Sequence, residues 1–432
     1  MSRVLVIGAY GMIGAHVVRD LTMRGHQVIC LGRNATTARR VLPDADWIFH
    51  DLRDLVDAAT WASVVTNHSH VVNCAGALQD NGADDLATVH NDAIAALASA
   101  CTAQGVGLIQ ISAVGADPGA ATAFMDSKAQ GDAAIRNSGA AWWIFKPGLV
   151  LAPNGYGGTA LMRMLAAVPL VQPMTMGDAL LQTVSIADVC DAVARAVTGD
   201  IPVGTEADLV EDEAHRLQDL VAAFRNWLGF PAARATLRLP AALIRPVGWV
   251  ADGLGRLGWR SPLRSTALRV TQAGVGGDAM QTRAVLGRPA HPLKHTLAAM
   301  PARAEDRLAA RMALLMPVVV AVLSLFWIAS GVIGLARLGE AAQLLQDQGW
   351  GTGRAQVSVA SWAVVDIALG LAILVRRWAR PATLAMAGVC AVYLISASVV
   401  TPTLWLDPLG PLVKILPAAM LALVARPLLE PR

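Results

Sequence analysis

Lys128 follows Phe124 by four residues in the stretch ATAFMDSKAQ, residues 121–130. In a helix that spacing sets both side chains on one face, a turn apart. The lysine can hold a hydroxyl or an anion there, but Phe124 has no ionisable group and can move no proton. None of the three tyrosines repairs the pattern. Tyr10 lies in a glycine turn, Tyr156 has Ala160 four residues on, and Tyr393 sits in an apolar run. Near the start, Gly8, Gly11 and Gly14 form G-x-x-G-x-x-G directly after VLVI. Glycines so spaced allow a tight turn, close approach of backbone to a pyrophosphate, and close helix–strand packing. A glycine-rich turn without a ligand is the plainer alternative.

The elements that must position these residues are legible around them. RVLVIGAYGMIGAHVVRDLTMRGHQVICLGRN reads as strand, turn, helix, strand, with Val17, Val18 and Leu21 on the buried side of the helix. The second strand, QVICLG, ends where a dinucleotide-binding sheet often carries an acid for the ribose hydroxyls. This chain has Gly32 and Arg33 there, with Arg39 and Arg40 nearby. A guanidinium suits a 2′-phosphate, which favours NADP over NAD; a solvated surface arginine is the alternative. WIFHD forms a third strand that delivers Asp51 and Leu52 to the adenine edge, and HVVNCAG a fourth that ends in small residues. GLIQISAVGA is a fifth, with Ser112 at its carboxyl end, where ligands of an open α/β sheet sit. The expected cofactor contacts are Gly8, Tyr10, Gly11, Met12, Ile13, Gly14, Arg33, Asp51, Leu52, Cys74, Ala75, Gly76 and Lys128.

In this order, the glycine turn, NCAG, ISAVGA, Phe124 with Lys128, FKPGLVLAP and TVSIADVCDAVARAV around Asp188 resemble the short-chain dehydrogenase/reductase superfamily. The likeness spans about residues 3 to 200 and is nearest to the extended and atypical branches. It implies a tyrosine as proton donor, a lysine on the nicotinamide ribose, and a serine that polarises the substrate carbonyl. Ser112 and Lys128 match the last two; Phe124 stands where the tyrosine belongs. Two readings stay open. Hydride transfer proceeds with another donor, such as Tyr156, Asp126 or a water held by Ser112, or the domain binds NADP as a structural or sensing ligand. Ser112 as a strand-end turn residue and Lys128 as a solvent-facing helix lysine are the structural alternatives. His90 and Asn91 in TVHNDAIAAL read as a helix face, although Asn91 matches a structural asparagine of the family.

Over 432 residues, 55% are hydrophobic and only 16% charged, and the apolar excess lies mostly after residue 310. Four runs there, about 312–336, 357–375, 382–400 and 404–425, approach or exceed the ~20 residues that cross a bilayer. Arg303, Arg307 and Arg311 precede the first run, Arg376, Arg377 and Arg380 follow the second, and Arg426 and Arg432 follow the fourth. By the positive-inside rule both ends of this block face the cytoplasm. The block resembles the DoxX-like membrane family in length, span number and position, and that likeness implies a quinone-like or isoprenoid partner. Asp366 in the second span and Lys414 in the fourth are expected to approach one another or line a polar pocket; the alternative is that Lys414 snorkels to the interface and Asp366 meets backbone or hydroxyl groups such as Ser361 or Ser330. Between the halves, a helix over 213–228 carries Leu217, Leu220, Val221, Phe224 and Leu228 on one side. Then Arg245, Arg256, Arg260, Arg264 and Arg269 are interleaved with Trp249 and Trp259, which suits a headgroup layer or a basic cap.

Composition excludes other classes. A formal charge of +3 without a basic run or recognition motif argues against nucleic acid. Five scattered cysteines with no C-x-x-C argue against zinc and disulfide frameworks, and no metal site is expected. The start, MSRVLVIGAYGMIG, has neither the charged region nor the cleavage site of a signal peptide. The expected architecture is a doubly wound parallel α/β Rossmann domain over 1–200, a small cap and membrane-surface region over 201–305, and an all-α four-helix transmembrane domain over 306–432. The expected protein is a multi-pass inner-membrane NAD(P)-dependent oxidoreductase, its N-terminal domain and C-terminus cytoplasmic, with Ser112, Lys128 and Tyr156 catalytic and a lipophilic substrate. The rival is a non-catalytic NADP-binding sensor or assembly factor of a membrane protein complex.

Overall fold

The computed structural model describes residues 1–77, 85–120, 122–259, 265–408 and 410–430; Arg260, Arg264 and Arg432 of the basic stretches lie outside them. The chain forms two compact units, Met1–Asp252 with Ser261–Arg307, and Gly253–Arg260 with Leu308–Arg432.

The first unit begins β1 (Arg3–Ile7), α1 (Met12–Met23), β2 (Gln27–Gly32), α2 (Ala35–Val41), β3 (Asp46–Phe49), α3 (Ala58–Val65) and β4 (His70–Asn73). A π-helical turn, Thr88–Asp92, leads into α4 (Ala93–Gln104), then β5 (Gly107–Ile111), α5 (Ala123–Arg136) and β6 (Trp142–Pro147). There follow β7 (Leu149–Leu151), α6 (Gly157–Ala166), β8 (Val171–Met174), β9 (Leu180–Leu181), β10 (Thr183–Ser185), α7 (Ile186–Thr198) and β11 (Thr205–Leu209). The rest is β12 (His215–Arg216), α8 (Leu217–Trp227), β13 (Ala235–Arg238), α9 (Ala241–Arg256), α10 (Ser265–Ala273), α11 (Ala279–Leu286) and α12 (Leu293–Ala299).

Seven parallel strands lie in the order β11-β6-β5-β4-β1-β2-β3. The order reverses between β1 and β4, which opens a crevice at their carboxyl ends. Both faces are covered, and this explains the unbroken apolar strands read from the sequence. Val4 and Val6 pack with Val17, Leu21, Val189 and Val193, while Leu5 and Ile7 pack with Val65, Ile94 and Leu97.

The seventh strand lies beyond residue 200, where the first domain was expected to end. β11 pairs with β6, and Thr282 clamps its far end by donating to the Asp208 carbonyl and accepting from the Val210 amide, both at 2.9 Å. The fully buried Asp188, at the start of α7, accepts from the His291 amide at 2.8 Å and meets Arg288 at 2.8 Å. Most of the expected cap region therefore belongs to the same unit as the sheet. The apolar side expected of α8 is buried at Leu217, Leu220, Val221 and Phe224.

The second unit is helical: α13 (Ala304–Ala336), α14 (Leu338–Gln346), α15 (Thr352–Ala372), α16 (Arg376–Val400) and α17 (Pro411–Leu428). All but α14 are long and apolar enough to cross a membrane. The fourth starts at Pro411 rather than near Leu404, because Pro402–Leu406 forms a 3₁₀ turn and Gly410 enters the left-handed region at φ 55°. A proline then opens the helix at a position that needs no amide hydrogen.

Asp366 does not meet Lys414. It is buried on α15 and accepts from Ser330 on α13 at 2.8 Å and from Tyr393 on α16 at 2.9 Å, whereas Lys414 is exposed. Two hydroxyls within reach satisfy the carboxyl locally, so no distant cation is needed. Close packing of α13 on α15 makes this possible. A Cβ on Gly331 would stand 2.3 Å from the Ala363 carbonyl oxygen, and one on Gly370 2.9 Å from that of Ser324.

Gly331→Ala is expected to lower the unfolding midpoint of the helical unit in detergent, as overpacking costs about 1–3 kcal/mol. Gly334→Ala, whose new methyl would meet only the Ala363 Cβ at 3.4 Å, is the control and should be neutral or better.

Candidate functional site: the carboxyl end of the parallel sheet

The turn after β1 is built for close approach. Gly8 has φ 70°, and a Cβ there would lie 2.8 Å from Ala75 Cα, so the turns after β1 and β4 touch backbone to backbone. A Cβ on Gly14 would lie 2.3 Å from the Gly8 carbonyl oxygen, which fixes α1 against the strand. Gly11 caps α1 with no side chain, and the first turn has no acid. The amides of Met12, Ile13 and Gly14 therefore face outward without intrahelical partners, at the positive end of the helix dipole. Asn73 stiffens the neighbouring strand end by accepting the Ala75 amide at 3.0 Å and donating to Gln110 at 2.8 Å. The backbone thus leaves a cradle lined by glycine where a pyrophosphate would lie.

At the ends of β2 and β3, Tyr10 closes over Gly32, whose Cβ would come within 2.4 Å of the tyrosine ring. Trp47 packs beside Tyr10, and Phe49 stacks on Trp47 at 5.9 Å. Asp51 is gripped by Arg53 at 2.8 Å and 3.2 Å and lies 4.0 Å from Arg33. Those bonds hold its carboxyl below the usual range, with the Arg53 side chain the largest cause. Arg33 and Arg53 therefore bring two guanidinium groups to this edge. Arg53 was missed in the sequence because it follows the strand by a 3₁₀ turn rather than ending it.

Deeper, at the ends of β4 and β5, three side chains converge. Lys128 is buried on α5 and donates to the Ile111 carbonyl at 3.1 Å. A Cβ on Gly76 would lie 3.8 Å from its Nζ and 3.3 Å from His90 Nε2. Desolvation lowers the lysine's affinity for its proton, and Asp132 partly restores it. The solvent-facing alternative for Lys128 is thereby excluded. Ser112 directly follows β5 and is 4% exposed, and its Oγ shares a short hydrogen bond of 2.5 Å with Asp132 Oδ2. Cys74 remains a thiol, because burial pushes it up to about 12.

His90 corrects the sequence reading. It lies buried in the π-helical turn over Thr88–Asp92 and borders the site, where the sequence reading gave it a helix face and no part in the chemistry. Asn91 instead points outward and donates to Asp92 at 3.1 Å. His90 Nε2 accepts the Ala77 amide at 3.1 Å, so Nδ1 carries the hydrogen and donates to Ser127 Oγ at 2.8 Å. Ser127 in turn donates to the Phe124 carbonyl at 3.1 Å. Burial, and then the Lys128 charge, push the imidazole down to about 3. The Phe124 ring meets His90 edge-on at 5.7 Å and lies 5.8 Å from Lys128 Nζ.

The structure does not bring every expected residue here. Tyr156 precedes α6, is 53% exposed, and its hydroxyl has no hydrogen-bond partner among the described residues. Asp126 accepts the Gly119 amide at 2.8 Å and Gln130 at 2.8 Å, on the exposed side of α5. Beyond Val114 and Gly115 a polar cleft of about 460 Å³ opens between Lys146, Glu206 and Asp208. Among the described residues no histidine, cysteine and carboxylate cluster could hold a metal.

Residues 8–199 match the family described as NAD(P)H-binding, and residues 324–423 match the DoxX-like family. No curated protein matches the chain. Solved structures share the fold of the first unit. WbmH of Bordetella bronchiseptica, in complex with NAD+, is 17% identical with a TM-score of 0.53, over 72% of this chain and 98% of that one. The NADPH-dependent quinone oxidoreductase QOR2 of Escherichia coli, complexed with NADPH, is 18% identical at 0.52, over 69% and 99%. UDP-glucose 4-epimerase of Thermotoga maritima, with UDP-glucose, is 16% identical at 0.51, over 69% and 97%. Residues 8–199 thus form an NAD(P)H-binding domain with a Rossmann-like fold. The chain joins it to a DoxX-like domain with four apolar helices.

His90 gives this site an acid limit. The folded state resists protonation that the unfolded chain accepts near its ordinary value of about 6.5, so stability falls as pH drops from there towards about 3. Thermal melts between pH 7 and pH 4 should show a steeper loss in the wild type than in His90→Asn.

Proposed function

We propose that the protein is a membrane-anchored, NADP-dependent oxidoreductase that acts on a lipophilic carbonyl or quinone-like substrate. The buried Lys128 carries the reading. An ammonium sealed beside Gly76 with one carbonyl partner has donors left for ribose hydroxyls, and little else explains the desolvation it bears. The glycine cradle and the free first-turn amides of α1 would hold the pyrophosphate. Arg33, with Arg53 beside it, would pair with a 2′-phosphate, as guanidinium groups do bidentately. Bound there, the cofactor supplies or accepts a hydride. Ser112 would orient the substrate oxygen, and Lys128 would stabilise charge developing on it.

The DoxX-like block supports a membrane location, and its arginines support a cytoplasmic first unit. Arg303 precedes α13 and Arg307 and Arg311 lie in its first turns, while Arg376, Arg377 and Arg380 open α16. At the opposite ends of those helices, Arg337 is offset by Glu340 at 2.9 Å. A lipophilic substrate then arrives by way of the bilayer, and the exposed Trp249 with Arg245 on α9 suits contact with headgroups. Phe124 favours a second reading, in which the site binds NADP without turnover and reports its redox state to a membrane partner.

Calorimetry should find NADPH bound more tightly than NADH, with the difference shrinking in Arg33→Ala; equal affinities would remove the NADP assignment. NADPH oxidation in membrane extracts should fall at least tenfold in Lys128→Ala. Undiminished oxidation in that variant, or none in the wild type, would favour the binding-only reading.

A further inference from the structure

We infer that Asp132 holds a proton in the resting site and passes it through Ser112 to the substrate oxygen, the part that Phe124 cannot play. This rests on the oxidoreductase reading above. Asp132 follows Lys128 by one turn on α5 and has no exposed surface. Oδ2 meets Ser112 Oγ at 2.5 Å, and Oδ1 is sealed from solvent with no hydrogen-bond partner among the described residues. Lys128 spends its described hydrogen bond on the Ile111 carbonyl rather than on this carboxyl. A carboxylate shut away with one hydroxyl partner is costly, whereas a neutral acid is not. The charged groups whose fields reach it are Lys128 on its own helix, Lys146 on β6 and Glu206 on β11. Lys146 is already held by Glu206 at 2.6 Å, which blunts its pull. Burial, the largest influence, raises the proton affinity of Asp132.

The short contact then has a direction. A protonated Asp132 donates from Oδ2 to Ser112 Oγ, and this frees the serine's own hydrogen to point at a ligand. With a bound reduced nicotinamide as hydride donor to the substrate's carbonyl carbon, the substrate oxygen would take the Ser112 hydrogen. Ser112 Oγ takes the Asp132 proton, and Asp132 ends as a carboxylate near the Lys128 ammonium. The substrate is reduced by two electrons, the nicotinamide is oxidised by two, and one proton leaves the carboxyl. Asp132 acts through Ser112, so it positions and supplies the proton without touching the substrate.

The full chain in lipid nanodiscs, without cofactor, gives the first test. Its infrared spectrum minus that of Asp132→Asn should contain a carboxylic C=O band at pH 7 that fades as pH rises and shifts in Ser112→Ala. A difference spectrum with only carboxylate bands at pH 7 overturns the proposal, whether or not any substrate is known. With menadione and decanal as probes, Asp132→Asn should bind NADPH as the wild type does but lose about 10²-fold or more in kcat, with KM little changed. Asp132→Glu, which keeps an acid, should recover part of the loss. Turnover in the wild type with an unchanged pH profile in Asp132→Asn overturns the relay and leaves the oxidoreductase reading standing. A carboxylic band with no turnover of either probe by the wild type counts against that reading, while the proton stays where the band places it.

Discussion

A lysine ammonium sealed inside a protein needs partners for its hydrogens, and Lys128 finds one in the Ile111 carbonyl at the end of β5. Much of the first unit can be read as the arrangement that makes this tolerable. α5 must lie tightly against the π-helical turn, and Gly131 permits it, since a Cβ there would stand 1.9 Å from the His90 carbonyl oxygen. His90 must stay neutral beside the charge, and its two hydrogen bonds fix the tautomer that allows it. Asp132 and Ser112 pair nearby without neutralising the lysine directly. What remains is a positive site with donors aimed into the crevice, which favours a ligand rich in hydroxyl and phosphate oxygens.

The fold was largely legible because parallel strands buried on both faces leave continuous apolar runs, and the glycine turn marks the first crossover. The limits of legibility are specific. β11 was not read as part of the sheet because its sequence, TEADL, exposes alternate polar residues at an edge. His90 was read only as part of a helix face; its i, i+4, i+7 spacing to Ile94 and Leu97 marks that face as buried, but not that its imidazole borders Gly76 and Ser127. Asp132 was overlooked although it continues the same i, i+4 face as Phe124 and Lys128; that spacing was the available signal.

In the helical unit, sequence gave length and polarity but not which faces meet. Hydropathy varies little around α13 and α15, so it carries little register information for that pair. Small residues set the register instead: Gly331 and Gly370 let α13 and α15 touch, and Ser324 donates across the gap to the Gly370 carbonyl at 2.8 Å. Asp366 then finds its hydroxyl partners from two different helices. A carboxyl satisfied in this way ties three helices together at one depth, which a pairing with Lys414 on α17 would not have done.

The contact between Tyr10 and Gly32 bears on how this cofactor site can change over evolutionary time. A sheet that binds NAD ordinarily carries an acid at the end of β2, close to the ribose. At position 32 the first atom of such a side chain would meet the Tyr10 ring at 2.4 Å, with Trp47 3.2 Å away on another side. The tyrosine must therefore shrink or swing out before the acid can arrive. An acid at position 32 thus has to come with a change at Tyr10, and the two positions are coupled.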